Sequence, residues 1–390
     1  MNDLTNKGPL SGFRFIEIEG IGPAPFAGMM LADMGADVIV VERTDGKADA
    51  TTDFGSTDIL KRGKRSIAVD LKSEAGRELV LKLIESANGL IEGMRPGVME
   101  RLGLGPEVCL QRNPELVYGR VTGWGQDGPM ALRAAHDINY IALSGALWYS
   151  GRPGEPPFAP PTLIGDVGGG ALHLVVGLLA AALNAKKTHC GQVVDANVVD
   201  GSANMMNLVL SLIASGQGSF SRGQSLIDGP HWFDSYRCSD GQFITVGSLE
   251  VKFYKTLLVA LGLEQDPVFQ EQYNSVLWPG QKERLTEIFL SRTQAQWVEM
   301  FGESDACFAP VLDPRQAMEH SHNQARGFYF ERDGILQAAP SPRFSVTQKS
   351  SIGNISPRGA NTRAIMTELG LTDVEIKKHL EAGLCLQSND

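Results

Sequence analysis

The sequence predicts an α/β fold with a buried parallel sheet over roughly its first 200 residues, followed by a smaller α+β domain. Three observations carry this. Phe13–Glu19 alternates like a strand, a Gly-Pro turn follows, Phe26–Met34 reads as a helix stopped by Gly35, and Asp37–Glu42 is a continuous apolar strand. Strand and helix patterns keep alternating beyond that β-α-β unit. Composition then shifts to Gly and Ser over Ser215–Gly229, a linker signal.

The remaining elements follow in order. Glu74–Ala87 sets Leu79, Val80, Leu83 and Ile84 on one helical face. Leu90-Ile91 and Leu116–Val121 read as short strands. Thr162–Asp166 leads into Gly168-Gly169-Gly170 and an apolar helix. Its longest run, Ala171–Leu183, falls short of the ~18 residues of a membrane span and reads as a core helix. Gly191–Asp200 reads as a strand, with a helix following through Leu212. Asp240-Gly241 between apolar flanks predicts a hairpin over Tyr236–Val246, and Glu250–Leu263 and Gln281–Ser291 read as helices. The expected large domain is residues 1–212 plus about 330–390, the linker 213–228 and the small domain about 229–320.

A net charge of −10 argues against nucleic acid or an anionic membrane as partner. A polyanionic ligand would need a local basic cluster. Lys61-Arg62-Gly63-Lys64-Arg65, followed by Lys72, is the candidate, against the commoner reading of a solvated charged face. The five cysteines are scattered without paired spacing, so neither a disulfide framework nor a metal site is expected of them. The histidines form no zincin-type pair, and no metal site is expected there either. Met1–Leu10 lacks an apolar h-region, and a cytoplasmic location is expected.

The first strand–helix turn, Gly20-x-Gly22, invites a dinucleotide reading, with Glu42 at the ribose-binding distance. Pro23 and Pro25 remove backbone N–H groups that would hold pyrophosphate, so a close-packing turn is the better reading. Asp166 stands where a helix N-cap is expected. Three glycines exceed what a cap needs. They are expected to clear space around the carboxylate and expose N–H groups to a ligand, while the helix start keeps Asp166 ionised. His136 precedes a helix pattern capped by Asp137. A lone histidine is more often structural than catalytic, but this position suits acid–base work near neutrality. Glu250 ends Val246-Gly247-Ser248-Leu249 at a strand-to-helix turn and would not be singled out alone.

Several stretches together resemble the α-methylacyl-CoA racemases, a branch of the class III, formyl-CoA transferase-like CoA-transferase family. They are Leu31–Arg43, Arg95–Gly103, Gly123-Trp124-Gly125-Gln126, His136–Tyr140, Gly165-Asp166 with its glycines, Gly191–Asp195, Val246–Glu250, and Asp305–Cys307 through Pro310–Leu312. The resemblance implies a Rossmann-like large domain plus a small domain in an interlocked homodimer, the active site lying between the large domain of one chain and the small domain of the other. It implies that His136 and Asp166 are catalytic and that Glu250 pairs with the histidine. Arg43 and Arg101 match residues that hold CoA phosphates, and Lys72 and Arg95 lie in similar CoA-contacting segments. Asp228-Gly229-Pro230-His231 departs from the glycine-rich turn expected there.

The implied chemistry is 1,1-proton transfer on a 2-methylacyl-CoA thioester. A thioester α-proton is too weakly acidic for an unassisted carboxylate or imidazole, so the site must stabilise the enolate oxygen and place one proton carrier on each face of the carbon. The helix start at Asp137 supplies donors. CoA comes with the substrate, and no cofactor is expected. The alternative is a CoA-transferase in which Asp166 forms an acyl anhydride. His136 and Glu250 favour the racemase, because the transferase branch generally carries neither.

Overall fold

The computed structural model describes residues 7–45, 54–347 and 351–388. Two compact units divide them. One takes the chain up to Ala146, Ala159–Met205 and the segment from Gly327 onward. The other takes Leu147–Phe158 and Met206–Arg326. The large unit therefore ends its second segment at Met205 rather than at residue 212, and the stretch expected as a linker lies within the small unit. There Asp228 accepts hydrogen bonds from the N–H groups of Gly223 and Ser225, which folds the Gly/Ser-rich stretch into a defined turn.

The large unit begins β1 (Arg14–Ile18), α1 (Pro23–Asp33), β2 (Asp37–Glu42), β3 (Arg65–Val69), α2 (Glu74–Glu85) and β4 (Gly89–Glu92). It continues with α3 (Val98–Arg101), α4 (Pro106–Arg112), β5 (Val117–Thr122), α5 (Asp137–Ser144), a wide π-helical turn over Leu163–Leu172, α6 (His173–Thr188), β6 (Gln192–Asn197) and α7 (Val198–Met205). Strands β1–β6 are all parallel, in the order 3-2-1-4-5-6, with Cys385–Leu386 antiparallel on the outer edge of β3. That is the doubly wound dinucleotide-fold order. The order in which strands are added reverses between β1 and β4, so the crevice at their carboxyl ends is where such a sheet takes a ligand.

Side-chain alternation explains the layers. Ile16 and Ile18 face a core with Leu79, Val80, Leu83 and Ile84 of α2, as the helical stripe predicts. Phe15 faces the other core, with Leu31 of α1 and Leu174 and Leu178 of α6. A Cβ on Gly119 of β5 would meet Leu178 at 2.7 Å and Leu174 at 3.0 Å, so α6 lies directly on the strand. The continuous helix Leu163–Thr188 is long and apolar enough to cross a membrane by composition, longer than the run visible in the sequence, and 44% of its most apolar window is buried.

The small unit holds α8 (Asn207–Ala214), the antiparallel strands β7 (Phe233–Arg237) and β8 (Phe243–Gly247), α9 (Val251–Leu261), α10 (Trp278–Phe289), α11 (Gln294–Phe301), β9 (Phe308–Pro310), α12 (Pro314–Glu319) and α13 (Ser321–Arg326). The hairpin turns at Gly241, whose φ of 83° suits glycine. The tail adds a hairpin, β10 (Tyr329–Arg332) with β11 (Ile335–Ala338), then α14 (Thr362–Glu368), α15 (Asp373–Glu381) and β12, the edge strand Cys385–Leu386. Ile365 and Met366 of α14 join the α2-side core.

Candidate active site

The first turn places a carboxylate where a dinucleotide fold would place phosphate. Gly22 caps α1 with φ 70°, and a Cβ there would stand 3.4 Å from the Asp166 carboxylate. Asp166 is not a helix cap. It lies inside the π-helical turn, whose cap is Thr162, and its N–H donates to Oδ1 of Asp137 at 2.7 Å. Asp137 is the first residue of α5, and His136 is its cap. The turn before α5 is pinned twice. The His136 N–H donates to Oδ1 of Asn139 at 3.2 Å, and the Tyr140 hydroxyl donates to the Ala135 carbonyl at 2.5 Å.

The three glycines do a different job from the one expected. Gly168, Gly169 and Gly170 are buried. A Cβ on Gly169 would stand 2.4 Å from Oγ of Ser202, one on Gly170 2.9 Å from Pro23, and one on Gly201 of α7 1.9 Å from the Gly169 carbonyl oxygen. Bare backbone lets α7 and α1 approach, which fixes the π-helical turn under Asp166 instead of exposing its N–H groups. The charge expectation is also corrected. Burial, then the neighbouring Asp137 charge, pushes Asp166 up to about 6, with the His136 charge opposing. The carboxyl thus titrates near neutrality and can serve as acid or base. The N-terminus of α5 presents its first N–H groups, suitable donors for an enolate oxygen.

Two cavities lie along the carboxyl edge of the sheet, both lined by Gly93 and Met94. One, about 360 Å³, is lined by Arg43 and Lys72 with residues after β1, β2 and β3. The other, about 150 Å³, is lined by His136, Arg95, Arg133, Trp124 and Tyr140. Glu92, fully buried, holds the shared turn by accepting the Met94 N–H at 2.7 Å, and Arg120 neutralises it at 2.7 Å. Arg43 is largely exposed, its Nε 3.6 Å from Glu19. Arg101, exposed on α3, lines neither cavity.

Lys72 lines a cavity, but the Lys61–Arg65 run of the basic cluster is not a phosphate site. Lys61 pairs with Glu42 at 2.8 Å, Arg62 with Asp33 at 2.6 Å, Lys64 with Glu17 at 2.5 Å and Arg65 with Asp37 at 2.7 Å. Arg62 and Lys64 are buried. The run forms the approach and start of β3, so its cations point among the acidic residues of β1, α1 and β2. Glu42, 1% exposed, is taken by Lys61 and Ser66 and is closed to any ribose.

A family model, CoA-transferase family III, matches residues 10–360 of this chain. The chain belongs to CoA-transferase family III. It is 38% identical over 372 residues to the alpha-methylacyl-CoA racemase of Mus musculus, covering 94% of this chain and 95% of that protein. To the alpha-methylacyl-CoA racemase of Homo sapiens it is 36% identical over 383 residues, covering 97% and 98%. A solved CAIB/BAIF family protein from Brucella suis has a TM-score of 0.77 to it at 24% identity, spanning 93% of this chain and 100% of that one, which speaks to the fold.

Within this family III chain, Glu250 lies in the small unit, exposed, as the cap of α9. Its side chain makes no capping hydrogen bond, so its own helix does not use the carboxylate. Burial, then the Glu250 charge, raises the thiol of Cys307 beside it. Reading the sequence missed Tyr140 and Arg133. Tyr140 is legible in hindsight, because it lies in the first turn of the helix that His136 caps.

Proposed function

We propose that this chain is an α-methylacyl-CoA racemase, an isomerase that interconverts (R)- and (S)-2-methylacyl-CoA thioesters through an enolate. One observation carries the reading: Asp137, chain neighbour of His136, holds the backbone of Asp166, and the charges of both bear on a carboxyl titrating near 6. An imidazole and a carboxyl pushed up to about 6 are two proton carriers of the kind that a two-base exchange at one carbon needs. Asp166 removes the proton from one enantiomer while His136 returns one to the opposite face, and the roles exchange for the reverse direction. Donors at the start of α5 stabilise the enolate oxygen, and Glu250, from the partner chain of an interlocked dimer, steadies the imidazolium. Arg43 and Lys72 hold the anionic CoA. A proton moves and no electrons leave the substrate, so the reaction needs no redox cofactor.

Incubating one 2-methylacyl-CoA enantiomer in D2O tests this. Deuterium at C2 in both enantiomers is expected, and inversion without solvent isotope would remove the two-base scheme. Membership of a CoA-transferase family supports a second reading, in which the Asp166 carboxylate attacks the thioester and thiolate leaves as a mixed anhydride forms. Hydroxylamine trapping of an acyl-Asp166 species would establish that reading in place of the first.

A further inference from the structure

The turn that carries Glu250 is held by side chains far along the sequence. The Gln272 amide nitrogen donates to the Ser248 carbonyl at 3.1 Å and the Leu249 carbonyl at 3.0 Å. The Tyr273 hydroxyl donates to the same Leu249 carbonyl at 2.8 Å. Three hydrogen bonds thus fall on the two peptide groups just before Glu250. Gln272 is itself fixed: its backbone carbonyl accepts the indole N–H of Trp232 at 3.2 Å and of Trp278 at 2.9 Å, and both rings are buried. Ser248 is tied to the same cluster, its N–H donating to the Trp232 carbonyl at 2.9 Å.

Gln272 is only 6% exposed, and its Oε1 has no hydrogen-bond partner. A buried acceptor left bare is unfavourable. The two acceptor carbonyls fix the amide orientation, because flipping it would set oxygen against oxygen. The unfavourable oxygen is retained together with the two donors. Glu250, at the end of this clamped turn, keeps its carboxylate out of its own helix cap.

We infer that Gln272, with Tyr273, is a positioning residue that aims the Glu250 carboxylate by clamping the Ser248–Leu249 backbone. The inference rests on the proposed pairing of Glu250 with the catalytic imidazole. The clamp fixes the backbone at the start of α9, where Glu250 is the cap.

The test compares Gln272→Leu, Tyr273→Phe and Glu250→Gln in the α-hydrogen exchange assay across pH. Gln281→Leu is the control. Gln281 is fully buried and likewise has a bare Oε1, but its amide donates to the Val268 carbonyl at 2.7 Å, away from Glu250. Gln272→Leu is expected to lower kcat about tenfold with KM within about twofold, a fraction of what an acid–base group supplies. Its kcat/KM profile should shift to lower pH, as for Glu250→Gln, because an imidazole losing its anion is less basic. Tyr273→Phe, which alters an exposed ring, should shift the same way by less, and it answers the question if Gln272→Leu does not fold. Gln281→Leu should lower stability and leave the profile in place. An impaired Glu250→Gln beside an unshifted Gln272→Leu and Tyr273→Phe would overturn the clamp alone. A silent Glu250→Gln would overturn the role of Glu250, and the clamp with it.

Discussion

Oδ1 of Asp137 accepts the backbone N–H of Asp166 at 2.7 Å, so one carboxylate both positions the other and resists its ionisation. Asp137→Asn keeps an oxygen for that hydrogen bond and removes the charge. Burial remains the larger cause, so the Asp166 acidity should move partway back toward the ordinary carboxylate value near 3.9. In the direction where Asp166 is the base, activity rises with pH as it ionises, and the acid limb should start near 6 and move lower in the variant. Asp137→Ala also drops the hydrogen bond and should lose about 10–100-fold in kcat. Initial rates of deuterium uptake against pH check both.

His136→Ala and Asp166→Ala should each abolish racemisation, a loss of about 10²–10⁴-fold or more. The two-base arrangement makes a sharper statement. With one carrier gone, the other can still take a proton from its own face and return solvent deuterium to it. Each variant should therefore retain slow exchange in one enantiomer only, without inversion, and the two variants should differ in which. Chiral separation with mass detection reads this, and full racemisation by either variant removes that residue from the mechanism.

The fate of the basic run separates affinity from stability. Arg62→Met leaves Asp33 buried without its cation, which should lower stability by about 3–5 kcal/mol and leave KM for acyl-CoA unchanged. Lys72→Ala and Arg43→Ala, at the carboxyl-edge cavity, should raise KM up to about tenfold with little change in Tm. That penalty should shrink at high salt, because exposed charges are screened. Thermal melts and Michaelis curves at two salt concentrations distinguish the cases.

The fold was largely legible because period-2 and period-3.6 patterns act locally: Asp37–Glu42 is a strand with the expected bounds, and the α2 stripe faces its core. Strand Arg65–Val69 was missed because its entry is crowded with cations. Their carboxylate partners are as far away in sequence as Glu17, and local charge counting cannot see a pairing made by sheet formation. The glycines after Asp166 misled for a similar reason. Gly169 is bare because Gly201 packs on it, a contact between segments about thirty residues apart. His136 and Asp166 could be named from the resemblance, but their linkage through Asp137 could not.

The departure at Asp228–His231 ends in a buried base. His231 is fully buried, and its Nε2 lies 2.8 Å from the Tyr254 hydroxyl. That hydroxyl donates its one proton to the Phe269 carbonyl at 3.0 Å, so the imidazole Nε2 must carry the hydrogen and donate to it. Nδ1 is then the bare nitrogen, buried without a partner. Burial, then the charge of Lys282, pushes the group down to about 3 from an ordinary value near 6.5. Below about 6.5 the unfolded chain takes a proton here that the folded chain refuses, so stability drops as the pH is lowered from about 6.5 to about 3. The slope from this group approaches about 1.4 kcal/mol per pH unit in that window and vanishes above it. Four of the five tryptophans, Trp148, Trp232, Trp278 and Trp297, lie in the same unit, so urea unfolding followed by tryptophan fluorescence reads it. His231→Gln, which cannot titrate, should start less stable at pH 8 through lost packing and show a flatter fall toward pH 4. Parallel curves for the two proteins would mean that other groups set the acid sensitivity of this unit.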